Sequence, residues 1–124
     1  MARVVIIDDD EAIRSLLEEV LRHDGHETFT AANGKAGIKL VREKDPDLLI
    51  TDIFMPEQEG VETIQEARAI APDVPVIAIS GGGRFQQYNL LKLAETLGAA
   101  AALQKPFSLA KIRETISEIL ETET

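Results

Sequence analysis

Apolar and polar positions along the chain follow two alternating periods. Short apolar runs (Val4-Val5-Ile6-Ile7, Leu48-Leu49-Ile50-Thr51 and Val76-Ile77-Ala78-Ile79) are separated by stretches with apolar residues every three or four positions. Runs without alternation suit parallel strands covered on both faces. The pattern predicts strands over 3–8, 27–31, 48–52, 76–80 and 101–104. It predicts helices over 11–23, 35–44, 61–70, 85–97 and 109–121. In the first helix Ile13, Leu16, Leu17, Val20 and Leu21 share one face. Glu27-Thr28-Phe29-Thr30-Ala31 is less apolar than the other strands, as an edge strand would be. Turn residues punctuate the units: Asp24-Gly25, Asn33-Gly34, Asp45-Pro46, Pro72 and Pro75, and Gly98. Ser108 is placed to cap the last helix. Five βα units with right-handed crossovers predict an α/β, doubly wound parallel sheet with helices on both faces.

Composition narrows the class. The 124 residues suit one domain, 1–124, with no output domain in this chain. No apolar run reaches the roughly 18 residues that a membrane span needs. Met1-Ala2-Arg3 runs straight into a strand, which argues against a signal peptide. The absence of cysteine excludes disulfides and thiolate metal sites, and suits a cytoplasmic protein. Thirteen basic against 22 acidic residues give a formal charge of −9. Such a surface repels nucleic acid and anionic lipid, so neither is an expected direct partner.

In a parallel α/β sheet the carboxyl ends of all strands share one edge. Asp8, Asp9 and Asp10 follow the first strand, Asp52 closes the third, Ser80 the fourth, and Lys105 follows the fifth. A carboxylate cluster facing a hydroxyl and a lysine points to divalent-metal-assisted phosphoryl chemistry on one aspartate. Singly, each residue has a plainer reading. An aspartate at a strand end is commonly a cap or turn residue, Ser80 a turn residue, and Lys105 a solvated surface lysine. Three carboxylates on one edge repel one another without a cation, which weakens the plain reading for Asp8, Asp9 and Asp52. His23 and His26 read as surface residues. The run Gly81-Gly82-Gly83-Arg84 lacks the Gly-Lys-Ser/Thr ending of a phosphate-binding loop and reads as a mobile loop.

The acidic pair in Ile6-Ile7-Asp8-Asp9, the block Asp52-Ile53-Phe54-Met55-Pro56 with Gly60 beyond it, Ser80 and Lys105-Pro106-Phe107 occur in order, with a βα unit between each. Together they resemble the receiver domain of two-component response regulators, over essentially the whole chain. The resemblance implies a flavodoxin-like strand order 2-1-3-4-5 with the site beside strands 1 and 3. It implies that Asp52 is the phosphoacceptor and that Asp8, Asp9, Asp52 and the backbone carbonyl of Phe54 hold Mg²⁺, with Mn²⁺ able to replace it. Ser80 would donate to a phosphoryl oxygen. Lys105 would pair with the phosphoryl group, and with Asp52 beforehand. Asp10 falls after the acidic pair and is assigned to capping. A cis Lys105-Pro106 bond is implied as well. The expected partners are a histidine kinase or histidine phosphotransfer protein, docking on Ala12, Ile13, Arg14, Pro106 and Phe107, and a downstream protein target. Leu17 is read as exposed beside them or as core. The face made by 85–97, 101–104 and 109–121 would be the output or homodimer surface.

Two departures matter. Receivers often carry an aromatic residue three positions before the lysine, where this chain has Ala102, which has no rotamer to switch. Switching is therefore expected in the loop around Gly81–Asn89 and the helix at 85–97. Phe54 is expected to shield an acyl phosphate from water. Three other readings compete. A haloacid-dehalogenase-type phosphatase would need a second aspartate two positions after the nucleophile, where this chain has Phe54. A flavodoxin-like cofactor module would set its phosphate against Asp8-Asp9-Asp10. A degenerate receiver scaffold without phosphorylation would be expected to lack a site residue, and none is missing.

Overall fold

The computed structural model describes residues 2–53, 60–80, 92 and 95–123. Five strands, β1 (Arg3–Ile7), β2 (Glu27–Ala31), β3 (Leu48–Asp52), β4 (Val76–Ser80) and β5 (Ala101–Gln104), form one parallel sheet in the order β2-β1-β3-β4-β5. Helices α1 (Glu11–His23), α2 (Gly34–Lys44), α3 (Gly60–Ile70) and α4 (Leu109–Glu123) cover it. Residues 95–97 are also helical, which fits the end of the helix expected over 85–97; the rest of that segment, apart from Lys92, lies outside the described residues. The last helix runs two residues beyond its expected end.

The alternation of side chains along each strand sorts the core into two layers. Val5, Ile7, Leu49, Val76 and Ala78 pack with Ile38 and Val41 of α2 and Ile64 and Ala67 of α3. Val4, Ile6, Leu48, Ile50, Ile77, Ile79 and Leu103 pack with Leu17, Val20 and Leu21 of α1 and Ile112 and Ile116 of α4. β1, β3 and β4 are buried on both faces, which is why their sequences are apolar without alternation. Leu17 is fully buried. It belongs to the core, and of the pair Ile13 and Leu17 only Ile13 keeps partial exposure.

The helix ends follow their sequence signals. The Asp10 side chain accepts from the Ala12 amide at 2.9 Å, Asn33 from the Ala36 amide at 2.9 Å, and Ser108 from the Lys111 amide at 3.1 Å. α1 closes at Asp24 and hands over to Gly25 at φ 91°, a left-handed conformation that glycine adopts without penalty. α2 closes differently, on Asp45 at φ 49° before the buried Pro46. Gly37 lies against β1: a Cβ there would fall 2.1 Å from Ile7 Cδ1, so its missing side chain lets α2 approach the strand that carries the acidic residues. Among the described residues no helix is long and apolar enough to cross a membrane.

Candidate functional site

Sheet register brings the polar strand ends together. Ile7 pairs with Thr51, so Asp8 and Asp52 are each the next residue along neighbouring strands. Asp52 pairs with Ile79, which puts Ser80 one step further, and Ser80 pairs with Gln104, the residue before Lys105. The Lys105 amide donates to the Ser80 carbonyl at 2.7 Å, and the Ile53 amide to the Ile79 carbonyl at 2.9 Å, carrying the ladder past the strand ends. By strand alternation Asp8 and Asp52 share the face that carries α1 and α4.

Asp8 is fully buried, and Asp52 nearly so. The Asp8 amide donates to the Ala31 carbonyl at 3.1 Å, while its Oδ1 accepts from the Asp10 amide at 2.9 Å. Its Oδ2 lies 2.9 Å from Lys105 Nζ, close enough for an ion contact but outside hydrogen-bond geometry. That buried oxygen has no hydrogen-bond donor among the described residues. Lys105 Nζ does hydrogen-bond Asp52 Oδ2, at 3.2 Å. The lysine side chain keeps only 16% of its exposure, so it is no solvated surface lysine. It bridges two carboxylates, and its contact with Asp8 is the shorter. Oxygens of Asp8, Asp9 and Asp52 all lie within 4.8 Å of one another.

Burial pushes the Asp8 carboxyl above its ordinary 3.8, and the Asp10 amide and Lys105 only partly offset that. Burial alone would lower Lys105. The contact with Asp8 and the charge of Asp52 outweigh it and hold the ammonium above its usual 10.5. A buried carboxylate oxygen that has an ion contact but no hydrogen bond, beside two further carboxylates and with oxygen as the sole donor type, fits a small hard divalent cation such as Mg²⁺ or Mn²⁺.

The other expected residues fall as follows. Asp9 is exposed and Asp10 acts as the α1 cap. Ser80 is buried at the end of β4. The Lys105-Pro106 peptide is cis, as the resemblance implied. Ala12 and Pro106 are exposed, and Ile13 and Phe107 are half-buried against the α1–α4 core. Arg14 is half-buried, and its Nη1 donates to the Asp8 carbonyl at 2.8 Å, a link to the site that spacing alone did not reveal. Ala102 packs partly buried against the opposite core layer. His26 is not a plain surface residue: its Nδ1 accepts from the Ala2 amide at 3.1 Å, and burial lowers its pKa from 6.5. Phe54, and the segment 81–91 in which switching is expected, lie outside the described residues.

The response regulator receiver domain family matches residues 4–117. The chain is 31% identical over 118 residues to sporulation initiation phosphotransferase F of Bacillus subtilis, covering 95% of this chain and 93% of that protein. It is 33% identical over 123 residues to the DNA-binding transcriptional regulator NtrC of Azospirillum brasilense, covering 99% of this chain but only 25% of that protein. A CheY-like response regulator receiver domain protein from Methanospirillum hungatei superposes with a TM-score of 0.90 at 28% identity, covering 99% of this chain and 96% of that one.

Proposed function

The chain belongs to the response regulator receiver domain family, and from that premise we propose that it is a phosphoacceptor whose Asp52 takes a phosphoryl group from a histidine kinase or histidine phosphotransfer protein. Receivers are signalling domains of two-component systems, and the reading is of a switch rather than a turnover enzyme. One observation carries it: Asp8, Asp9 and Asp52 bring oxygens within 4.8 Å of one another while Lys105 Nζ sits 3.2 Å from the Asp52 carboxylate.

In this reading an Asp52 carboxylate oxygen attacks phosphorus, the bond from phosphorus to the donor's imidazole nitrogen breaks, and an acyl phosphate forms. Asp8, Asp9, Asp52 and the Phe54 carbonyl would hold Mg²⁺, or Mn²⁺ in its place. When bound, that ion offsets the repulsion between the carboxylates and the incoming phosphoryl oxygens. Lys105 moves its charge from Asp52 to a phosphoryl oxygen, and Ser80 donates a hydrogen bond to another. The donor docks beside the site on Ala12, Ile13, Arg14, Pro106 and Phe107. Ile13 and Phe107 support this because both rest on one core layer at the site's edge of the sheet. The consequence is a change in contact with a downstream protein or a second copy, through the face formed by the helix ending at 97, β5 and α4.

The test is intact-mass spectrometry after incubation with acetyl phosphate and Mg²⁺, comparing wild type with Asp52→Asn. A gain of one phosphoryl group, lost to hydroxylamine and absent in the variant, supports the reading. Mg²⁺ binding with no mass gain from acetyl phosphate or a phosphorylated histidine donor supports a scaffold role instead.

A further inference from the structure

Every polar atom of Asp8 but one is anchored. The amide is held by Ala31 and Oδ1 by the Asp10 amide, and the carbonyl accepts from Arg14 Nη1 at 2.8 Å. Only Oδ2, buried and without a hydrogen bond among the described residues, is left to face Lys105 and the other acids. Two of these anchors are local or come from the sheet. The third reaches back from the first turn of α1, six residues on. That bond ties the helix to the peptide joining Asp8 to Asp9, the two acids that precede it.

We infer that Arg14 is a positioning residue for a divalent-cation site: by holding the Asp8 carbonyl it fixes the peptide between Asp8 and Asp9, and so the direction of both carboxylates. The inference rests on the reading of Asp8, Asp9 and Asp52 as the ion's ligands. It gives Arg14 a role that its docking neighbours Ala12 and Ile13 do not share, because its guanidinium bonds the Asp8 carbonyl.

The sign of one measurement distinguishes this role from a purely electrostatic one. A guanidinium bonded to the backbone of one of the acids opposes a divalent cation held by them by charge alone, so neutralising it would tighten Mg²⁺ binding if charge were its whole contribution. A positioning role predicts the reverse. Groups that orient metal ligands typically account for 10–100-fold in affinity, so Arg14→Met, which keeps a stem of similar length without donors, is expected to weaken Mg²⁺ binding about tenfold. Arg14→Lys, with a donor on a stem of comparable reach, recovers most of the loss. The experiment is calorimetric titration of Mg²⁺ into the wild type, the two Arg14 variants and Asp8→Asn. Weakening in Arg14→Met with recovery in Arg14→Lys supports the inference. Unchanged or tighter binding in Arg14→Met overturns it, as does a loss that lysine fails to recover. Asp8→Asn separates the two levels: binding there at wild-type strength overturns the ion-site reading itself, and the Arg14 role with it.

Discussion

Replacing Lys105 by methionine tests how the acidic cluster is held together. The ammonium lies 2.9 Å from Asp8 Oδ2 and 3.2 Å from Asp52 Oδ2, with Asp8 fully buried and the lysine side chain 16% exposed. At an effective dielectric of about 20, Coulomb's law gives about 5 kcal/mol for each contact before the desolvation of the charges is subtracted. Removing one partner of a buried pair costs about 3–5 kcal/mol, because the other is left buried and uncompensated. Two features reduce that figure: the residual exposure of Lys105, and the ability of Asp8, already raised by burial, to take up a proton instead. The expected loss at pH 7 without Mg²⁺ is therefore about 2–4 kcal/mol, read from urea denaturation followed by circular dichroism. With Mg²⁺ the order of sensitivity changes. If Asp8 and Asp52 hold the cation as proposed, the wild-type lysine would compete with it for them and methionine would not, so Mg²⁺ should stabilise the variant more than the wild type. The pH dependence has a fixed sign. Lys105 is raised in the folded state, so its contribution is complete below about 10.5, the unfolded value, and is lost as pH rises through the higher folded one. Lys105→Met should lack that alkaline loss. A variant within about 0.5 kcal/mol of wild type without Mg²⁺, the range of ordinary surface substitutions, or with the same Mg²⁺ increment, would refute the reasoning.

Three further outcomes follow from the packing. Gly37→Ala should destabilise by about 1–3 kcal/mol through overpacking, because the new Cβ falls 2.1 and 2.4 Å from Ile7 Cδ1 and Cγ1 in a fully buried side chain; a denaturation midpoint at or above wild type would contradict this. Asp10→Ala should cost about 1 kcal/mol as a lost helix cap while leaving the Mg²⁺ dissociation constant unchanged, since its carboxylate accepts from the Ala12 amide; a weakened ion affinity in calorimetry would make it a ligand instead. His26, lowered from 6.5 by burial and the positive chain terminus, favours its neutral form in the fold, so its contribution is present above 6.5 and lost as pH falls below it. His26→Gln should show a shallower loss of stability between pH 7.5 and 5.5 than wild type, and equal slopes would reject the assignment.

Much of this architecture was legible in the sequence because it depends on local signals. The unbroken apolar runs of β1, β3 and β4 announce burial on both faces, and Asp10, Asn33 and Ser108 cap the helices where their side chains suggest. The convergence of Asp8, Asp52, Ser80 and Lys105 was legible too, since parallel strands must end on one edge; the register sets Asp8 level with Asp52 and moves Ser80 and Lys105 one residue further at each later strand. What stayed hidden depends on direction, which periodicity does not encode. Ile13 and Leu17 read alike on a helical wheel, yet Leu17 is sealed between α1 and the sheet while Ile13 stays part-exposed. The contact of Lys105 with Asp8 arises from two separate strand ends, and the Arg14 bond from a long side chain curling back onto the preceding turn. Gly37 shows the same limit from the other side. In the sequence it is a weak helix residue, and only the approach of Ile7 gives it a purpose. Ile7 directly precedes Asp8, so the contact that decides whether α2 can seat on the sheet also sets the strand that carries the site's buried acid. Packing and site geometry therefore share a residue pair, and a substitution at position 37 should disturb both together.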